Sequence, residues 1–349
     1  MNSKEIVYRL AHRQATPRTP VSLLSGGVWT FNRQGLSLKD ALDLGAERAA
    51  EIIAATNEQV GSDIVWPGSG YHNLALQAIG AKIKFRAAGA PDIQESLLKK
   101  AAEADSVDLN LLTNDEHLNI LWDTARLVAN GIGAETLVGS SQWGPVTLGG
   151  LAYGVENLLR GIYKDTAAVH RVLEFASELC YQYLEPFVKG GVGIVSVADP
   201  TSSGDMISRQ QFKEFSLPYL RKVVQKIKAH GILVLIHICG NIANRLDLIP
   251  ETGADIISLD YKVDLDYART TVGKRIAFAG NMDPVTVMLN LKPDEVAGAC
   301  RSCIDKAGAG NYLLMPGCDI PPGVPLENIQ AMVAVAHNYQ KEVSSLELS

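Results

Sequence analysis

Short apolar runs alternate along this chain with longer stretches in which apolar positions recur every three or four residues. Residues 21–24 form the first run, stopped by Gly26 and Gly27, and 64–66 the second, stopped by Pro67 and Gly68. A third, in ETLVGSSQWGPVT, is expected to end at Gly139. The segments GIVSVADP, ILVLIHICG, ADIISLD, RIAFAGN and NYLLMPG supply five more. Runs this short and this apolar read as strands buried on both faces of a parallel sheet. The intervening stretches 3–13, 36–61, 95–105, 114–131, 154–165, 167–189, 210–229 and 293–307 carry helical periodicity, and 80–86 reads as a hairpin-like excursion. Eight strands alternating with helices predict a closed parallel (β/α)8 barrel, a TIM barrel. An open doubly wound sheet is the competing architecture, but no GxGxxG follows the first strand. The expectation is one barrel domain over 1–349, with an N-terminal helical extension and an inserted segment near 80–130.

The strand ends carry the polar and conformationally special residues, and in such a barrel they all open on one face. In the run 232–238, His237 and the following Cys239 lie two apart, so both point to one side while Ile238 points to the other. Gly240 then permits a sharp turn. Cys318 follows another strand end, after Pro316 and Gly317. One imidazole and two thiolates make three zinc ligands and leave a fourth tetrahedral position open, the arrangement of a catalytic zinc. Buried inert thiols and a hydrogen-bonded core histidine would produce the same letters.

Composition narrows the class. The chain has 349 residues, 47% hydrophobic and 20% charged, enough to build a large core. A net charge of −6 without a block of Lys or Arg argues against nucleic acid as a partner. Neither a bilayer-length apolar segment nor a signal-like N-terminus is present, and the five cysteines do not form a disulfide framework, so a cytoplasmic location is expected.

The segments HICGN, MPGCD with PLENIQAM after it, WGPVTL with GVENLLRGI, DPTSSGDMIS with FKEFSLPYL, and AGNMDP together resemble the uroporphyrinogen decarboxylase superfamily. Within it the chain is similar to the zinc-dependent corrinoid methyltransferases that act with methylcobalamin and coenzyme M. The resemblance runs from about residue 20 to 339 and implies a TIM barrel with zinc on His237, Cys239 and Cys318. It also implies transfer of a methyl group between the cobalt of a corrinoid (cobalamin) carried by a partner protein and a small molecule. That molecule would be a thiol such as coenzyme M, or a donor such as a methoxyarene, methanol or a methylamine.

True uroporphyrinogen decarboxylases use an arginine-bearing RQAGR segment for the acidic tetrapyrrole; the corresponding LLSGGVWTFNRQG here has Arg33 as its only arginine. A metal-free decarboxylase and a non-catalytic zinc-containing partner of a corrinoid protein remain the alternatives. The chain lacks the DxHxxG signature of cobalamin-binding domains, so the corrinoid is expected to arrive on another protein. Asp199 and Asp260 end neighbouring strands as candidate catalytic groups, and Asn281, Gln142, Tyr71 and Trp143, with His72, are candidate substrate contacts. Trp66, Cys180 and the Cys300/Cys303 pair are read as core or helix-face residues.

Overall fold

The computed structural model describes residues 1–24, 26–308 and 310–346. Its strands are β1 Ile64–Val65, β2 Ile83–Lys84, β3 Asp92–Ile93, β4 Leu137–Trp143, β5 Ile194–Ala198, β6 Leu233–Ile238, β7 Ile256–Leu259, β8 Ala277–Met282 and β9 Tyr312–Pro316. Among the described residues, seven of them form one parallel sheet in the order β1-β4-β5-β6-β7-β8-β9. The first apolar run joins its two edges. Ser22 bridges Ile64 and Val21 bridges Leu314, both in parallel sense. Backbone bonds from Ser22 N to Leu314 O (3.1 Å) and from Asp63 N to Val21 O (2.9 Å) close the ring. Arg18 and Asp63, paired at 2.5 Å, hold that junction, with Asp63 also accepting from Val21 N at 2.8 Å. Seven of the eight expected runs are therefore strands of one curled sheet, and the first contributes only two isolated bridges, at Val21 and Ser22, which join its edges.

Period-two alternation divides the core in two. Ile64, Leu137, Ile194, Leu233, Leu235, Ile256, Ala277, Ala279, Leu313 and Met315 fill the barrel interior together with Trp66. Val7 and Leu10 of the helix Ser3–Ala11 join the same cluster, so this helix plugs the N-terminal end of the barrel. The intervening residues, such as Val138, Val195, Val197, Val234, Ile236 and Ile257, face the helical layer. The helix Thr166–Lys189 shows how that layer forms: Val169, Val172, Leu173, Ala176, Leu179, Cys180, Tyr183 and Phe187 recur at three- and four-residue steps and are buried. Asp165 starts it by accepting the Ala168 N–H at 3.0 Å.

Four local expectations change. Strand β4 runs through Gly139 to Trp143, because its parallel pairing with β5 continues to Ala198. The stretch 95–105 contributes only the 3-10 helix Ala101–Ser106. The excursion at 80–86 becomes one arm of an antiparallel pair, Ile83–Lys84 against Asp92–Ile93. The helix expected over 210–229 is broken into Arg209–Gln211, a wide π turn Phe212–Ser216 and Leu217–Lys228. Pro218 supplies no N–H to the preceding turn, so the ladder resets there.

Candidate metal centre

His237 sits in a lateral row of inward-facing positions that the register defines. Trp143 pairs with Ala198, Ala198 with His237, His237 with Ser258, and Ser258 with Ala279. The imidazole is buried. Its Nδ1 lies 3.0 Å from Ser258 Oγ and its Nε2 3.1 Å from Cys239 Sγ. In the tautomer that donates Nδ1–H to Ser258, Nε2 turns its lone pair toward the sulfurs. Cys239 Sγ is 3.7 Å from Cys318 Sγ across 79 positions of chain. Among the described residues these three form one group whose ligand atoms all lie within 4.8 Å of one another.

The donor set fits zinc. A sulfur separation of 3.7 Å is far beyond a disulfide bond. It matches the edge of a tetrahedron with zinc–sulfur bonds of 2.3 Å, about 3.8 Å. The electrostatics point the same way. The hydrogen bond from Cys239 holds the Cys318 thiol below the usual range, against burial and with help from His237. The same contact, then burial, pushes Cys239 up. One thiolate forms readily and the second is opposed by the first, an imbalance that a divalent cation removes.

Neighbouring strand ends brace these ligands. Asp260 accepts from Gly240 N at 2.8 Å through Oδ2 and from Lys262 N at 2.9 Å through Oδ1, pinning the turn after Cys239. Asn281 Nδ2 donates to the carbonyls of Asp260 (3.0 Å) and Val263 (2.6 Å). Gly317 lets the end of β9 lie against this frame: a Cβ there would stand 2.6 Å from Tyr261 N.

Asp199 has a different place. Fully buried, it accepts from Val146 N (3.3 Å), Thr147 N (2.7 Å), Thr147 Oγ1 (2.7 Å) and Ser202 Oγ (2.8 Å). It caps the helix Pro145–Tyr153 from a neighbouring strand, where the N-cap residue Gly144 has no side chain of its own. A Cβ on Gly144 would meet Asp199 Cβ at 2.5 Å, so the carboxylate occupies that room. Burial raises its pKa, while the hydroxyls of Thr147 and Ser202 and the helix N–H groups pull it back.

The candidate substrate contacts divide between the outer layer and the barrel mouth. Gln142 shares the outward face of Val138; its Oε1 accepts from Trp143 N at 2.6 Å, and its Nε2 is buried without a partner. Tyr71 also turns outward, its hydroxyl donating to Leu38 O at 2.9 Å. Trp143 and His72 turn in, with ring centroids 4.4 Å apart. His72 Nε2 meets Ser141 Oγ at 2.7 Å, and Trp143 Nε1 donates to Asn73 Oδ1 at 2.9 Å. Sequence reading missed Ser258, Ser141 and Ala198, although ADIISLD places Ser258 two positions before Asp260 on the same strand face. Cys180 is core, and Cys300 packs its sulfur 3.0 Å from Met282 Sδ.

Residues 2–339 match the family model described as Uroporphyrinogen decarboxylase (URO-D). Two relatives named methylcobamide:CoM methyltransferase MtbA align end to end. That of Methanosarcina acetivorans is 28% identical, over 97% of this chain and 98% of its own length. That of Methanosarcina mazei is 29% identical, again over 97% and 98%. A solved structure titled "methyltransferase from Methanosarcina mazei" superposes with a TM-score of 0.88 at 21% identity, covering 97% of this chain and 99% of the other, which shows the shared fold.

Proposed function

The chain belongs to the uroporphyrinogen decarboxylase family, and from that premise we propose that it is a zinc-dependent methyltransferase. It moves a methyl group between the cobalt of a corrinoid carried by a partner protein and a small molecule. The observation that carries this reading is the convergence of one imidazole and two thiols at the mouth of a closed barrel. Relatives matched over nearly the whole chain and named for methyl transfer between a methylcobamide and coenzyme M support it.

His237, Cys239 and Cys318 would hold the zinc. Bound there, zinc would supply Lewis acidity, deprotonating a coordinating thiol or polarising the heteroatom of a methyl donor. Ser258 sets the tautomer and orientation of His237, and Asp260 holds the turn that carries Cys239. No fourth protein ligand joins the group among the described residues, and the carboxylates of Asp199 and Asp260 are bonded within the scaffold. This favours an open catalytic position over a saturated structural site. The metal-free decarboxylase reading is disfavoured by the lack of an arginine-rich segment between the first strand and β1. Five free cysteines suit a reducing cytoplasm.

The test is a spectrophotometric assay of methylcobalamin with added thiols, and of cobalt(I) corrinoid protein with added methyl donors, using enzyme of measured zinc content. About one zinc per chain and cobalt redox turnover in either direction is the expected result. A protein that holds no zinc and leaves both corrinoid forms untouched overturns the reading. Ser258→Ala is expected to retain the fold and to weaken zinc binding about 10- to 100-fold, as loss of an outer partner of a ligating histidine does. Competition with a chromophoric chelator measures that change.

A further inference from the structure

The helix Val155–Lys164 turns apolar side chains in two directions. Leu158 and Ile162, four positions apart, are buried against the core. Val155, Leu159 and Tyr163 recur at the same four-residue step and form a second stripe beside the first. This second stripe faces solvent. Val155 and Leu159 are half-buried, and Tyr163, 80% exposed, is the most exposed large hydrophobic side chain among the described residues. With Glu156 and Arg160 the stripe lines a shallow groove of about 540 Å³. A contiguous apolar stripe with a charged rim is the form an interaction surface takes.

The charged rim selects the occupant. Glu156, Arg160 and Lys164 run along the shoulder of the stripe, acid at the start of the helix and bases at its end. Arg160 pairs with Glu156 at 2.6 Å inside the chain. Lys164 is exposed and pairs with no acidic group among the described residues. A partner of uniform charge would match only half of this row. An antiparallel copy of the same helix matches all of it. About a two-fold axis at Leu159, that residue meets its own copy, and Val155 faces Tyr163 of the second copy on either side. Glu156 of each copy then lies beside Lys164 of the other, Arg160 keeps its own Glu156, and the two helix dipoles oppose.

We infer that the chain pairs reversibly with a second copy of itself through Val155, Leu159 and Tyr163, with Glu156 and Lys164 setting the antiparallel register. A helix of ten residues is about 15 Å long. Its contact falls short of the roughly 1,600 Å² of a standard stable interface, so the association belongs in the micromolar range or weaker. The inference is independent of the methyl-transfer reading, because the helix packs on Pro145–Tyr153 and Thr166–Lys189 in the outer layer and supplies no group to the metal centre.

Sedimentation velocity of the full chain over about 1 to 200 µM tests it, in wild type, Tyr163→Ala, Glu156→Lys, Lys164→Glu and the Glu156→Lys/Lys164→Glu pair. The expected result is a monomer–dimer equilibrium that weakens at least about tenfold in Tyr163→Ala and in each single charge reversal, since a two-fold axis counts every contact twice. The double reversal is expected to restore most of the wild-type association. All three positions are exposed, so thermal melts of the variants should match wild type. A chain that stays monomeric at the highest concentration overturns the inference and leaves the stripe to a different occupant. A dimer indifferent to Tyr163 overturns it too, because the contact would then lie on another face. A double reversal weaker than either single one refutes the antiparallel register.

Discussion

Cys318→Ala and Cys239→Ala are each expected to emerge from purification nearly devoid of zinc and to lose more than about a hundredfold of methyl-transfer activity. Loss of an outer partner of a metal-bound histidine already costs 10- to 100-fold, and loss of a ligand exceeds that. The fold should survive. Both thiols are only partly buried at the barrel mouth, and neither belongs to the two apolar clusters that build the core. Metal analysis by plasma mass spectrometry beside a circular dichroism melt separates the two effects. Full zinc retention in both variants would place the ligands elsewhere and remove the basis of the site.

Asp199→Ala is expected to act on stability. Removing the carboxylate leaves the N–H groups of Val146 and Thr147 and the hydroxyls of Thr147 and Ser202 without that acceptor inside a closed interior. Hydrogen bonds to a charged group are worth about 1.5–3 kcal/mol each and are not additive, so a loss of about 3 kcal/mol or more is the expected scale. The urea midpoint should fall, with little soluble protein at elevated temperature. Asp199→Asn keeps one acceptor oxygen but turns an amide toward N–H groups, and so should recover only part of the loss. A variant of unaltered stability that had lost only turnover would instead make Asp199 a catalytic group, the role its strand-end position first suggested.

Asp199 shows how far sequence reading reaches. Its position at the end of GIVSVAD was legible, because short apolar runs and their stops are local features. Its partner was not, since the helix it caps begins some fifty positions earlier, at Pro145. The same limit applied to Gln142 beside Trp143 on β4. Alternation says that neighbours on a strand face opposite ways, but it does not say which way is in. The break at Pro218 was visible in FKEFSLPYL; the short 3-10 helix that replaced the helix expected over 95–105 carried no comparable signal.

The sequence by itself determined the alternation of apolar runs with helical returns and the His237-x-Cys239 pair on one strand face, because each depends on periods of two or 3.6 residues within a single segment. Tertiary structure alone decided that Cys318 stands 3.7 Å from Cys239, that Ser258 orients His237, and that the rings of Trp143 and His72 meet. Those relations follow from how Val21 and Ser22 close the sheet and from the inter-strand register. They also need Gly317 to pack closely against Tyr261. Closure and register join residues far apart in the chain, and no local period encodes them.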